Sequence, residues 1–143
     1  MQRLIDYAMQ FVGGPYKWGG DDPMAGFDCS GFIQELLASV GEDPPGDQTA
    51  HSLYRYFKRY GTIRTSTAPY PGNLAFFGSE NQVGHVSMCI DSHRIIEAGG
   101  GGRNVKTIED AKKYNAYIRV RPIDLRSDLV AVIGPNYQFM NWS

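Results

Sequence analysis

The sequence predicts an α+β domain in which helices come first and a mainly antiparallel sheet follows. Three segments within the first 60 residues carry apolar side chains at helical spacing. From residue 73 onward, short runs rich in Val, Ile and Phe are bounded by turn residues, a pattern typical of strands. Helices followed by strands are typical of α+β proteins. Because no repeat or linker interrupts the 143 residues, we expect one domain over residues 1–143.

The three predicted helices are delimited by capping and turn residues. The first covers residues 2–12 and is stopped by the sequence at 13–15. The second begins after Asp28 as N-cap and ends before Gly41, which offers a left-handed residue. The third covers residues 49–60, with a threonine as N-cap and a glycine after its end.

The second half of the chain contains five predicted strands, at residues 74–77, 85–90, 94–97, 117–121 and 129–133. A short helix is expected at 108–114, between two of these strands. We therefore expect the helices to pack on a sheet of about five strands.

Composition excludes several classes of partner. Charged residues make up 20% of the chain and the net charge is -1, so no basic surface for nucleic acid or an anionic membrane is expected. No run of about 20 apolar residues could span a bilayer. Asp6 and Gln10 interrupt the first 12 residues, which therefore lack the layout of a secretory signal. A small enzyme or binding module fits this composition.

Cys29 is the leading candidate nucleophile. Directly after the Asp28 N-cap, it lies among unpaired N–H groups at the positive end of a helix dipole, which favours the nucleophilic thiolate. The same N–H groups could hold the oxyanion of a tetrahedral intermediate. Two alternatives remain: Cys29 is a small buried apolar residue, or it forms a disulfide with Cys89. The cysteines lack metal-ligand spacing, and no cofactor is expected.

A nucleophilic cysteine requires a general base, and three histidines are available. His51 lies on a helix of exposed-type residues and His93 lies beside a turn, so each has a weaker case than His85. Strand alternation separates two sets of side chains, with His85, Ser87 and Cys89 on one face and Val86, Met88 and Ile90 on the core face. His85 is therefore predicted to face a cleft covered by the cysteine helix.

Glu97 is the candidate for orienting the histidine, and its role depends on one hairpin loop. If residues 91–93 form a three-residue loop, Glu97 lies opposite Ser87 and diagonal to His85, within reach of its ring. A loop one residue shorter turns Glu97 to the other face. In the alternative interpretation, Glu97 forms a surface ion pair with Arg94 or Arg103.

Four motifs, separated along the chain, occur together in this sequence. They are Pro15-Tyr16-Lys17-Trp18-Gly19-Gly20, Gly26-Phe27-Asp28-Cys29-Ser30-Gly31-Phe32, Pro71-Gly72-Asn73-Leu74-Ala75-Phe76-Phe77 and Gly84-His85-Val86-Ser87. In this order they resemble the NlpC-type family of papain-like cysteine endopeptidases, which cut peptidoglycan stem peptides. The resemblance covers about residues 16–120 and implies a papain-like fold with the cysteine at a helix N-terminus.

The resemblance also implies roles for individual residues. Cys29 matches the nucleophile and His85 the base, while Tyr16 matches a tyrosine that polarises the scissile carbonyl. The aromatic loop before the cysteine, including Trp18, becomes a wall of the substrate site.

The resemblance also implies two residues that contact the substrate, and the chain departs from the family pattern at two other positions. Asp28 and Ser30 match neighbours of the cysteine that contact the free amino end of the stem peptide in some members. The third polar residue of the family is usually histidine, sometimes asparagine or glutamine, whereas this chain carries Glu97. Asn73 stands where aspartate is common, at a position that looks structural.

A glycine run at 99–102 follows Glu97 directly and ends at Arg103. It lacks the Lys-Ser/Thr of a phosphate loop, so nucleotide binding is not expected. Its simplest interpretation is a flexible turn. Beside a cleft, it would let the substrate backbone approach, and Arg103 would meet a substrate carboxylate or pair with Glu97.

Three functions are consistent with these residues. The leading hypothesis is a monomeric cysteine peptidase that cleaves a stem-peptide amide, next to D-glutamate as the resemblance implies, without a cofactor. The second is an amidase or acyltransferase on another amide or ester. The third is a non-catalytic phage-tail or cell-wall-binding module. Delivery to the wall is expected through a phage particle, a secretion machine, lysis, or a longer chain that contains this domain.

Overall fold

The computed structural model describes residues 1–22, 26–65, 68–100 and 104–138, and it confirms the α+β prediction. The elements in chain order are α1 (Gln2–Met9), β1 (Asp21–Asp22), β2 (Gly26–Phe27), α2 (Cys29–Ala38), α3 (Ala50–Tyr60), β3 (Thr62–Arg64), β4 (Leu74–Ser79), β5 (Gln82–Cys89), β6 (Arg94–Gly99), α4 (Ile108–Tyr114), β7 (Tyr117–Pro122), a 3-10 turn (Ile123–Leu125) and β8 (Leu129–Gly134).

The main sheet is antiparallel and has one strand more than the sequence predicted. Its strand order is β3-β8-β4-β5-β6-β7, while β1 and β2 form a separate two-stranded ribbon. The additional strand, β3, has three residues and lies at the edge against β8. A segment this short and this exposed carries no readable alternation, which is why the sequence did not reveal it.

The first helix is shorter than predicted. It ends at Met9, because the next amides donate to carbonyls three residues back, as in the bond from the Phe11 N–H to the Ala8 carbonyl (3.1 Å). Val12, expected on the apolar face, is consequently 46% exposed. The predicted bounds of the second and third helices differ from the observed ones by no more than two residues.

Both faces of the sheet are covered, which corrects the prediction for the face that carries His85. Helix α2 packs against β5 and β6 on the side of Val86 and Met88, in the larger core cluster. The opposite face holds a second cluster of Ala75, Phe77, Cys89, Ile95 and Val132, with Ile123 of the 3-10 turn packed on it. Ser87 is fully buried on this face as well. The body of α2 therefore does not cover the His85 side.

A β-bulge determines the direction in which His85 points. Phe77 pairs with His85 and the next residue, Gly78, pairs with Val83, so Gly84 has no partner in the β4–β5 ladder. Val83 consequently joins the larger core, although only one residue separates it from His85. Gly78 has φ +126, and a Cβ there would lie 2.9 Å from the Gly84 nitrogen. The bulge thus requires glycine on the facing strand.

In the ranges that the structure describes, no helix is long and apolar enough to cross a membrane.

Candidate active site

Cys29 is the first residue of α2, as the sequence predicted. The Asp28 side chain caps the helix by accepting the Gly31 N–H (2.7 Å) and the Ser30 hydroxyl (3.3 Å). Cys29 is a free, partly exposed thiol. Cys89 is free and buried, and burial raises its pKa to about 12. The disulfide alternative is therefore wrong.

The loop that precedes α2 is held tightly against the helix N-terminus. The Asp28 N–H donates to the Gly20 carbonyl (3.0 Å), and the Gly19 N–H donates to the Asp28 carboxylate (3.1 Å). A Cβ on Gly31 would overlap the Gly20 oxygen, so only glycine permits this approach. Burial raises the pKa of Asp28, although bonds from Gly31, Ser30 and Gly19 oppose that effect.

Tyr16 reaches the same site from this loop. Its N–H donates to the Ala116 carbonyl (3.0 Å), and its backbone forms a bridge to Phe27 of β2. The side chain is buried, and burial, with smaller contributions from Cys29 and Asp28, raises its pKa above the ordinary range. The phenol therefore stays protonated at neutral pH and can donate a hydrogen bond beside the thiol.

The hairpin between β5 and β6 has the three-residue loop that brings Glu97 to His85. Cys89 pairs with Ile95, and the Ile90 N–H donates to the Arg94 carbonyl (2.9 Å). In this register, His85 Nε2 lies 3.0 Å from Glu97 Oε1. The two side chains are only 12% and 6% exposed, so the alternative of a surface ion pair for Glu97 is wrong. Arg94 pairs with Asp91 instead.

The electrostatics of the His85–Glu97 pair favour its charged form. Burial lowers the pKa of His85, but hydrogen bonds to Cys29 and Glu97 outweigh burial and raise it to about 9. Burial raises the pKa of Glu97, yet His85, Arg119 and Arg121 outweigh it and keep the pKa below its ordinary value. Because Glu97 occupies Nε2, Nδ1 is the ring nitrogen left for the Cys29 thiol.

These side chains line one cleft of about 790 Å³. The predicted site residues that line it are Tyr16, Trp18, Asp28, Cys29, Ser30, His85 and Glu97. Trp18 is 48% exposed, whereas Ser30 is buried with its hydroxyl donated to Asp28. Arg103, the predicted carboxylate contact, lies outside the described residues. Among the described residues, no three His, Cys, Asp or Glu side chains cluster so that they could hold a metal ion.

Three arginines that were not predicted from the sequence also line the cleft. Arg119 and Arg121 project from β7, and Arg126 lies over the Phe77 ring at 5.0 Å. Arg119 Nε lies 3.5 Å from Glu97 Oε2. The alternation of residues 117–121 was the available signal, since it sets Arg119 and Arg121 on one face, but the pairing of β7 with β6 was not known.

Fold and site together define a papain-like α+β domain with a cysteine at a helix N-terminus beside a histidine–carboxylate pair. The chain belongs to the NlpC/P60 family, whose sequence profile matches residues 13–122. This family includes peptidoglycan hydrolases.

Three curated relatives illustrate the likeness in sequence. Protein P54 of Enterococcus faecium is 33% identical over 103 residues, which are 72% of this chain and 19% of that protein. The bifunctional muramidase/DL-endopeptidase CwlT of Bacillus subtilis is 33% identical over 104 residues, which are 71% of this chain and 30% of that protein. The probable peptidoglycan endopeptidase LytE of the same species is 30% identical over 115 residues, which are 78% of this chain and 31% of that protein. The chain thus spans about a fifth to a third of these relatives.

Solved structures share the fold at lower identity. The NlpC/p60 domain of the peptidoglycan hydrolase SagA superposes with a TM-score of 0.66 at 24% identity, covering 92% of this chain and 95% of that one. RipD of Mycobacterium tuberculosis, a non-catalytic NlpC/p60 domain protein, superposes with a TM-score of 0.67 at 19% identity, covering 93% of this chain and 94% of that one. Because catalytic and non-catalytic domains share this fold, activity must be argued from the side chains of this chain.

Proposed function

We propose that this domain is a cysteine peptidase that hydrolyses an amide bond in peptidoglycan stem peptides, next to D-glutamate. The observation that carries the proposal is the largely buried His85 ring, which is hydrogen-bonded to both the Cys29 thiol and the Glu97 carboxylate. Membership of the NlpC/P60 family supports peptidoglycan as the substrate. The proposed place of action is accordingly the cell wall.

In the acylation half of the reaction, the Cys29 thiolate attacks the carbonyl carbon of the scissile amide. The oxyanion that forms accepts hydrogen bonds from the Cys29 N–H, at the start of the helix, and from the Tyr16 hydroxyl. His85 then donates its Nδ1 proton to the leaving nitrogen. The C–N bond breaks, the amine departs, and a thioester to Cys29 remains.

In the deacylation half, the neutral His85 ring accepts a proton from a water molecule that attacks the thioester. The tetrahedral intermediate collapses, the acid product leaves, and the Cys29 thiolate and the His85 imidazolium are restored. Glu97 holds the ring through Nε2 in both halves and stabilises its charged form.

The walls of the cleft suit a charged peptide. The exposed Trp18 ring offers a flat apolar surface on the side of the aromatic loop. Asp28 contributes a carboxylate that attracts a free amino group of the substrate, and Ser30 fixes that carboxylate by its hydrogen bond. The position of Asp28 directly before the nucleophile would set the distance from the amino end to the scissile bond.

The decisive experiment is digestion of purified peptidoglycan, with Cys29→Ala as the matched control and mass spectrometry of the released peptides. The proposal expects new free termini at a stem-peptide amide with the wild-type chain only. Cleavage that persists in Cys29→Ala would rule out this mechanism. Adducts in place of free termini would indicate an acyltransferase, and binding without products would indicate a wall-binding module.

Thiol reactivity separates the catalytic proposal from a non-catalytic one without any substrate. The proposal expects Cys29 to react with iodoacetamide near neutral pH faster than free cysteine does, because the thiolate that attacks the substrate would also attack the reagent. A rate no higher than that of free cysteine would contradict the proposal. Cys89 provides an internal reference, since its buried thiol is expected to react slowly in the folded protein.

A further inference from the structure

We propose that Arg119 is a positioning residue that holds the Glu97 carboxylate in the orientation and charge state that His85 requires. The inference rests on the proposed function, because it assigns a role within the same site. Arg119 does not reach the reacting atoms through any contact that the structure shows. Its effect on catalysis would pass through Glu97.

The geometry divides the two oxygens of Glu97 between two partners. Oε1 lies 3.0 Å from His85 Nε2, and Oε2 lies 3.5 Å from Arg119 Nε. The strands fix this arrangement, since Glu97 of β6 and Arg119 of β7 are direct partners in the antiparallel ladder. A carboxylate held only through one oxygen can rotate about its last torsion, whereas the second contact restrains that rotation.

Two glycines leave the space that this pair occupies. A Cβ at Gly99 would lie 2.9 Å from Glu97 Oε2. A Cβ at Gly100 would lie 3.1 Å from the guanidinium of Arg119 and 2.8 Å from the Asn115 carbonyl, and Gly100 also has φ +87. The first two glycines of the run are therefore needed because larger residues would crowd the Glu97–Arg119 pair, and not only because their composition suggests a flexible turn.

The reaction cycle explains why a second cation is required. Before acylation the His85 imidazolium neutralises the buried Glu97 carboxylate, but His85 becomes neutral once it has protonated the leaving amine. A carboxylate that is only 6% exposed would then lack a charged partner, and an unpaired buried charge tends to take up a proton. Arg119 stays charged throughout and compensates Glu97 in that state.

Other charged groups also face Glu97, and they differ in how they reach it. His85 faces it from β5, and Arg119 and Arg121 face it from β7. Arg126 approaches from the segment after the 3-10 turn, but Asp128 binds its guanidinium at 2.6 Å. Within the described part of the chain, Arg119 is the arginine that contacts the Glu97 carboxylate. Arg121 acts on it only at longer range.

The kinetic test compares Arg119→Gln with Arg119→Lys and with Arg121→Gln, which removes the same charge two residues further along the same face. For Arg119→Gln we expect kcat/KM on the acid limb of the pH profile to fall about tenfold, as for one lost charged hydrogen bond. The acid limb of its pH profile should move to higher pH, because Glu97 becomes easier to protonate. Arg119→Lys keeps the limb near its wild-type position, and Arg121→Gln moves it less than Arg119→Gln does. Equal displacement in all three variants, or none in Arg119→Gln, would overturn the proposal.

A second measurement needs no turnover and so separates this proposal from the proposed function. In the Cys29→Ala background, NMR follows the side-chain carboxyl carbon of Glu97 as the pH is varied, with and without Arg119→Gln. The midpoint of the Glu97 titration is expected at higher pH without the arginine. An unchanged midpoint in a folded variant would overturn the role of Arg119 even if the enzyme is active. If Arg119→Gln does not fold, Arg119→Met carries the same comparison.

Discussion

Replacing Glu97 with glutamine removes one negative charge from the buried pair with His85 and leaves the size of the side chain nearly unchanged. A hydrogen bond to a charged group contributes about 1.5–3 kcal/mol. Because the two side chains are only 12% and 6% exposed, we place the expected loss in the upper part of that range, at about 2–3 kcal/mol. At about 1.4 kcal/mol per factor of ten, kcat/KM should fall by roughly 30- to 150-fold.

The assay is the initial rate of amine release from a stem peptide, measured over a range of pH. Because Glu97 helps to raise the pKa of His85 to about 9, the alkaline limb of Glu97→Gln should lie below that of the wild type. Glu80→Gln is the matched control, since Glu80 also binds a cation at 3.0 Å, in this case Lys58. That pair lies at the surface, where its loss changes stability by no more than about 1 kcal/mol and leaves the rate unchanged.

One result would refute the reasoning directly. If Glu97→Gln is folded and keeps both the wild-type kcat/KM and the wild-type alkaline limb, the carboxylate does not support His85. A melting curve and the thiol titre of Cys29 show whether the variant is folded. Glu97→His introduces the residue that the resemblance gives as usual at this position. It should keep more activity than Glu97→Gln does, with a different pH profile.

Further predictions concern the base, the oxyanion contact, the loop and the second cysteine. Since the pKa of His85 is raised to about 9, wild-type kcat/KM should decline as the pH rises through about 9; a decline centred near its ordinary value of about 6.5 would contradict the assignment of His85 as the general acid. Tyr16→Phe should lower kcat by about 10²-fold with little change in KM in steady-state kinetics, and an unchanged kcat would remove Tyr16 from the oxyanion site. Gly31→Ala should lower the free energy of unfolding in urea by about 1–3 kcal/mol, because its Cβ would overlap the Gly20 oxygen; wild-type stability would show that the loop yields easily. Cys89→Ala should leave kcat unchanged while lowering stability in the same urea assay, whereas a loss of kcat at full stability would assign Cys89 a role in the site.

The sequence was most informative where local chemistry determines local structure. The Asp28 cap, the start of α2 at Cys29 and the ends of α3 follow from side chains and turn residues close by in the chain. The contact between Glu97 and His85 could also be predicted, because the register of a hairpin depends on the length of one short loop. The family motifs, which agree with these elements, strengthened that choice of register.

The remaining features depend on which strands pair and on what covers each face. Arg119 meets Glu97 only because β7 lies beside β6, and sequence alternation alone does not reveal the neighbour of a strand. Ser87 and Cys89 were expected to share with His85 the face of a cleft covered by the cysteine helix, but the segment around Ile123 folds over that face and forms a second core. That covering segment follows β7 by chain connection and carries no apolar periodicity of its own.

The bulge in β5 makes the direction of His85 depend on how the strand pairs with β4 as well as on the sequence. Gly84 shifts the parity of the strand, so that Val83 and Val86 share the core face while His85 points to the cleft. If Gly84 paired in the ladder instead of being bulged out, regular alternation would set Val83 and His85 on the same face, and either His85 would turn into the core or Val83 would leave it. A substitution that straightens β5 would therefore disable the site while leaving every proposed catalytic side chain in the sequence, so the bulge is as much a part of the active site as the residues themselves.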